Sequence, residues 1–103
     1  MIEPAQGEIW WAEAIDKRRP VLIVTRSEAV PILTWVLAAP VTRTVRGIPT
    51  EIPLGPEHGL DEPCVASLDN LQPIRRSFLT QRVGALPGPR HAICSALAAM
   101  ADC

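Results

Sequence analysis

Eleven prolines are scattered through the 103 residues of this chain, roughly twice the usual share, and they cut its apolar stretches into short runs. Proline fixes φ and has no N–H to give to a ladder, so it gathers at strand ends, sheet edges and turns. Pro20, Pro31, Pro40, Pro49, Pro53, Pro63, Pro73 and Pro87 each stand at or near the border of an apolar run, and none belongs to a polyproline tract. The runs between them predict strands at 7–14, 20–26, 33–40, 49–54, 64–69 and 82–86, with 71–74 open to reading as a continuation of the fifth. Residues 27–31 read as a short connector, 41–47 as a polar, basic loop and 55–59 as a turn.

Local patterning refines this. Ile9 and Trp11 alternate with Trp10 and Ala12, the period of a strand. Residues 20–26, PVLIVTR, are nearly all aliphatic, which predicts a central strand buried on both faces. The two prolines of 49–54 suit an edge. The tail over 89–101 reads as a helix, with Gly88 as N-cap and Pro89 in the first helical position. Ile93, Leu97 and Met100 recur at i, i+4 and i+7 with Ala96 beside them, a stripe for core or dimer packing. Strands first and helix last indicate an α+β chain. The expectation is one domain over 1–103, a mainly antiparallel, twisted sheet curled into a half-barrel with a C-terminal helix.

The apolar share of 48% and charged share of 20% belong to a folded chain and not a disordered one. A net charge of −1 supplies no bulk field for nucleic acid, so any such contact must come from a local patch. Nine of the ten positive charges are arginine. The guanidinium fork matches phosphate or carboxylate oxygens, although codon usage produces the same bias. Cys64, Cys94 and Cys103 form no Cys-x-x-Cys pair, and neither histidine stands at metal-ligand spacing. No secretory signal precedes the first strand, and no apolar run approaches the roughly 20 residues that span a bilayer. These features predict a cytoplasmic chain with reduced thiols, no metal, no cofactor and no membrane contact.

Three polar clusters border the apolar strands, and strand ends in a curled sheet lie close enough to share one groove. Lys17, Arg18 and Arg19 precede the central strand, and Pro20 pushes the Arg19 backbone toward extended geometry. They read either as a solvated charge run or as a phosphate site. Thr42, Arg43 and Thr44 follow the third strand. The Thr42 hydroxyl either bonds its own turn or donates to a phosphate oxygen with Arg43 as counter-charge. Asp69 and Asn70 close the fifth strand, as turn residues or as readers of base edges. His58 and His91 read as solvated. Trp10, Trp11 and Trp35 read as core or interface, with base stacking as the alternative.

Taken in order, several segments resemble the MazF/PemK toxin family. Gly7-Glu8-Ile9-Trp10 resembles its opening strand, and Arg19-Pro20-Val21-Leu22-Ile23-Val24 its second. Pro40-Val41-Thr42, Pro49-Thr50-Glu51-Ile52, the stretch from Val65 to Asn70, and Arg82-Val83-Gly84-Ala85-Leu86 resemble later segments, with the terminal helix following. The form of residues 42–47 is similar to actinobacterial, including mycobacterial, members. The resemblance implies an SH3-like half-barrel and a homodimer. It also implies cleavage of single-stranded RNA (mRNA, with tRNA and rRNA as further classes) without metal, leaving a 2′,3′-cyclic phosphate and a 5′-hydroxyl. A cognate MazE-like antitoxin with an acidic tail is the implied protein partner.

By the same resemblance the catalytic positions fall on Arg19 and Thr42, and a substrate-contacting acid on Asp69. Lys17, Arg18, Arg43, Thr44 and Asn70 complete the expected substrate contacts. Arginine suits stabilisation of charge on the phosphorane oxygens and not proton transfer, because its pKa exceeds about 12. The proton acceptor stays open among Glu13, Asp16 and Asp69. Two departures bear on cleavage specificity: the loop over 13–19 is short, and Ser67 stands where some members carry an arginine. A gyrase poison of the CcdB type is the rival on the same fold, but its Trp-Gly-Ile ending has no counterpart after Trp35. An inactive SH3-like binding module is the third reading.

Overall fold

The computed structural model describes residues 4–13 and 18–100. Seven strands precede one helix among them: β1 (Glu8–Glu13), β2 (Arg18–Ile23), β3 (Trp35–Thr42), β4 (Glu51–Leu54), β5 (Cys64–Ser67), β6 (Gln72–Arg75), β7 (Leu79–Ala85) and α1 (Pro89–Met100). The strand order is β4-β5-β3-β2-β1-β7, with β6 also on β3, and every pairing is antiparallel. β3 is long enough to serve two partners on one edge. Trp35–Ala38 pair with β6, and Val41–Thr42 pair with β5. That division curls the sheet into the expected half-barrel, and β4 forms one edge as its prolines predicted.

Side-chain alternation buries both faces of the central strands. Ile9, Leu22 and Ala39 point into one core with Ala66, Leu68 and the helix residues Ile93 and Ala96. Trp10, Val21, Ile23, Val36 and Ala38 point into a second core, closed by Val30 from the β2–β3 connection and by Leu79. The two-faced burial expected of the central strand therefore holds for Val21, Leu22 and Ile23, all fully buried. Each such side chain contributes about 1.5–3 kcal/mol.

Several boundaries depart from the sequence reading. β2 begins at Arg18, so Arg18 and Arg19 are strand residues paired with Glu13 and Ala12, not a loop before the strand. It ends at Ile23, because Leu37 directs its carbonyl to the N–H groups of Val24 and Thr25 and its own N–H to Thr25 Oγ1. β3 runs to Thr42, since β5 offers that end a new partner after β2 diverges. β5 stops at Ser67, and a 3-10 turn over Leu68–Asn70 separates it from β6. β7 starts at Leu79, whose burial against β1 extends the ladder. His58 is not solvated. Its side chain is 11% exposed, and Nδ1 accepts the Gly55 N–H at 3.1 Å. Gly84 permits this tight loop, because a Cβ there would come within 1.8 Å of the His58 carbonyl oxygen.

The register explains a gap in the sheet. The β2–β3 ladder runs from Ile23↔Ala38 to Val21↔Pro40 and stops there. At the next rung, Pro20 faces β3 and lacks the N–H that would extend the ladder. Beyond this point β2 continues on β1 while β3 turns to β5. Carried two residues past Val21↔Pro40, the register sets Arg19 opposite Thr42 across the opened ladder.

Candidate active site

The opened ladder forms one wall of a groove of about 1090 Å³. Arg19 lines it from β2, Thr42 from the end of β3, Arg43, Thr44 and Arg46 from the loop that follows, and Asp69 and Asn70 from the turn after β5. The structure thus brings together six of the eight residues singled out from the sequence. Arg18 is not among the lining residues. Strand alternation sends it to the other side, where its guanidinium lies 4.7 Å from the Trp11 ring centroid and donates to Gln81 Oε1 at 2.8 Å. It also pairs with Glu13 at 3.3 Å. Lys17 and Asp16 lie outside the described residues.

Three guanidinium groups and one carboxylate line this groove, a local excess of positive charge on a chain whose net charge is −1. The three arginines differ in what they hold. Arg43 pairs with Glu62 at 3.4 Å in solvent. Arg46 is engaged by Glu51 through Nε and by Asp69 and Ser67 through Nη2. Arg19 makes no ion pair or hydrogen bond with the described residues. Opposite it, Thr42 Oγ1 accepts the Thr44 N–H at 3.1 Å. The turn bond foreseen from the sequence therefore forms, and it occupies a lone pair while leaving the hydroxyl proton to donate.

Arg46 and Glu51 were not singled out by sequence reasoning, yet they fix the far wall. Glu51 is buried; its carboxylate accepts from Arg46 Nε at 2.8 Å and from the N–H groups of Arg46 and Gly47 at 3.0 Å. Arg46 Nη2 meets both oxygens of Asp69 at 3.0 Å and Ser67 Oγ at 3.2 Å. Ser67 donates to Asp69 and accepts from Asn70 Nδ2 at 3.0 Å. A guanidinium thus reaches Ser67 from residue 46 of the loop. The sequence carries one signal for this network: an acid at the head of an apolar strand needs a counter-charge once buried.

The network sets the titration of its members. The Arg46 hydrogen bond, against burial and with help from two backbone N–H groups, holds the Glu51 carboxyl below its ordinary range. The Ser67 hydroxyl and then Arg46 do the same for Asp69. Hydrogen bonds to Glu51 and Asp69 raise Arg46 in turn. Asp69 is therefore a weak proton acceptor with its oxygens already engaged. Glu13 lines an adjoining cleft beside Arg19. Elsewhere, burial disfavours ionised Glu8, but hydrogen bonds from Trp10, Arg82 and the Ala5 N–H outweigh it and lower its pKa.

A carboxyl lowered in the folded state stabilises the fold while ionised. That contribution is complete above the ordinary carboxylate range, about pH 4, and is lost as pH falls through the lowered values. Calorimetric melts taken from about pH 5 to pH 2 are therefore expected to show a falling Tm. Arg46→Met is expected to reduce the fall, leaving the shares carried by Glu8, by the Ser67 bond to Asp69 and by the backbone N–H groups on Glu51. An identical pH slope in that variant would contradict the role given to Arg46.

Among the described residues, no three His, Cys, Asp or Glu side chains gather closely enough to hold a metal ion, and no helix is long and apolar enough to cross a membrane. Residues 5–100 match the family model described as PemK-like, MazF-like toxin of type II toxin–antitoxin system. The chain is 38% identical over 103 residues to probable endoribonuclease MazF5 of Mycobacterium tuberculosis (strain ATCC 25618 / H37Rv), covering 97% of this chain and 94% of that protein. The solved M. tuberculosis toxin MazF-mt6 aligns with a TM-score of 0.81 at 42% identity, over 90% of this chain and 95% of that one. A mycobacterial endoribonuclease solved in complex with its cognate antitoxin aligns with a TM-score of 0.79 at 27% identity, over 92% and 91% of the two chains.

Proposed function

The chain belongs to the PemK-like, MazF-like toxin family of type II toxin–antitoxin systems, and from that premise we propose that it is an endoribonuclease cutting single-stranded RNA in the groove between β2 and β3. The observation that carries this reading is that the Arg19 guanidinium, without a hydrogen bond or ion pair to any described residue, lines one groove with the Thr42 hydroxyl across the opened ladder. The 2′-oxygen of the RNA attacks the neighbouring phosphorus, the bond to the 5′-oxygen breaks, and a 2′,3′-cyclic phosphate and a 5′-hydroxyl result. Arg19 stabilises the charge that builds on the non-bridging oxygens. Thr42 donates its proton to one of those oxygens and fixes the phosphate against the guanidinium. The 2′-hydroxyl gives up its proton to a carboxylate, for which Glu13, Asp16 and Asp69 are the candidates; Glu13 is held by Arg18 and Asp69 by Arg46 and Ser67. The 5′-oxygen leaves with a proton from water.

Dependence on the 2′-hydroxyl restricts the reaction to RNA. In this reading the working form is a cytoplasmic homodimer, and mRNA is the first substrate class. The same groove, with three guanidinium groups, attracts the acidic segment of a cognate antitoxin, which competes with RNA for the site.

The test is cleavage of single-stranded RNA by the purified protein in excess chelator, with products identified by mass spectrometry. The expected ends are a cyclic phosphate and a 5′-hydroxyl, and a single 2′-deoxy sugar before the cut is expected to block it. Products bearing a 5′-phosphate, or cleavage indifferent to that substitution, would refute the scheme.

A further inference from the structure

Thr42 stands between two cavities. One is the arginine groove. The other is a cleft of about 450 Å³ on the opposite side of the opened ladder, and Val41, Thr42 and Arg43 line both. Trp11, Pro20 and Gln81 form walls of the second cleft, with Asp61 at its rim. We propose that this cleft holds the nucleoside on one side of the scissile phosphate, with Gln81 and Asp61 reading its base. The proposal rests on the ribonuclease reading above and deepens it.

The first argument is connectivity. A phosphodiester held at Thr42 carries a nucleoside on each side. The groove takes one, and the cleft that shares Val41, Thr42 and Arg43 with it takes the other. Its volume lies within the range of small-ligand sites, about 300–1,000 Å³.

The second argument is the chemistry of the walls. Trp11 is half-buried, and the Arg18 guanidinium over its ring holds the indole in place. With Pro20 and Val41 it offers a base the flat apolar contact that stacking uses. Gln81 is oriented by Arg18, which donates to Oε1, so its NH₂ is the group left to donate. The Asp61 carboxylate makes no hydrogen bond or ion pair with the described residues and accepts only. Asp61 takes the donor on the edge of a base and Gln81 the acceptor beside it, so a base is held according to where its edge places the two.

The experiment is digestion of a randomised single-stranded RNA library by the native protein, Gln81→Ala and Asp61→Asn, followed by sequencing of the cut ends. The native protein is expected to discriminate among the bases about tenfold at one position flanking the cut. Both variants are expected to flatten that preference at the same position, with the preference on the other side of the cut retained. Asp61 is an exposed loop residue, so its variant keeps the test open if loss of the Arg18–Gln81 bond unfolds the other. Unchanged profiles in both variants, or a loss spread evenly over all positions, would overturn the subsite. A native protein that cuts no RNA would overturn the subsite together with the ribonuclease reading, and that outcome differs plainly from active enzymes with unaltered preferences.

Discussion

Replacing Arg19 by alanine lowers the rate of RNA cleavage by about 10³-fold and leaves the melting temperature unchanged. The reason for the first half is charge. In the groove Arg46 is engaged by Glu51 and Asp69, and Arg43 by Glu62, so neither guanidinium replaces the one removed. The reason for the second half is that Arg19 is exposed and makes no ion pair or hydrogen bond with the described residues, so its removal leaves no buried group without a partner. Arg19→Lys is expected to recover only part of the activity. An ammonium supplies the charge but not the two-pronged donor geometry of the guanidinium. Single-turnover cleavage beside a calorimetric melt measures both effects. Wild-type cleavage by Arg19→Ala would remove the groove from the chemistry.

Thr42→Val costs about 10- to 100-fold in the same assay, the worth of one hydrogen bond to a charged oxygen, while Thr42→Ser stays near the native rate. Valine keeps the shape of the side chain and its place opposite Val65, so the strand end is preserved. What is lost is the hydroxyl proton free to donate, together with the exposed bond that Oγ1 accepts from the Thr44 N–H. If Arg19 and Thr42 grip the same phosphate, the double variant loses less than the product of the two single losses, because each contact depends on the position set by the other. Strictly multiplicative losses would mean that the two side chains act at different atoms.

The fold was legible in this chain wherever a local rule spoke alone. Alternation at Ile9–Ala12, the aliphatic run through Val21–Ile23 and the stripe at Ile93, Ala96 and Leu97 each point to the element that forms, because burial rewards that periodicity whatever the partner. The boundaries were less legible. Whether β3 stops at Pro40 or continues to Thr42 depends on β5 being there to receive it. The site shows the same division. Arg19, Thr42, Asp69 and Asn70 are readable as polar groups at strand ends, and the family resemblance singles out the first three. Arg46 and Glu51 were not read, because an ion pair spanning a loop leaves no periodic trace.

By itself, then, the sequence determined which residues are strand, helix and turn in their interiors, and which polar groups flank the strands. It also set the proline, Pro20, that ends the β2–β3 ladder. Only the tertiary structure decided that the strands part there in a direction that sets Arg19 against Thr42, turns Arg18 away onto Trp11, and lets Arg46 bridge Glu51 and Asp69. The physical reason is that propensity and burial pattern act over a few residues, whereas the facing of two side chains 23 positions apart is set by register, and register is a property of paired strands.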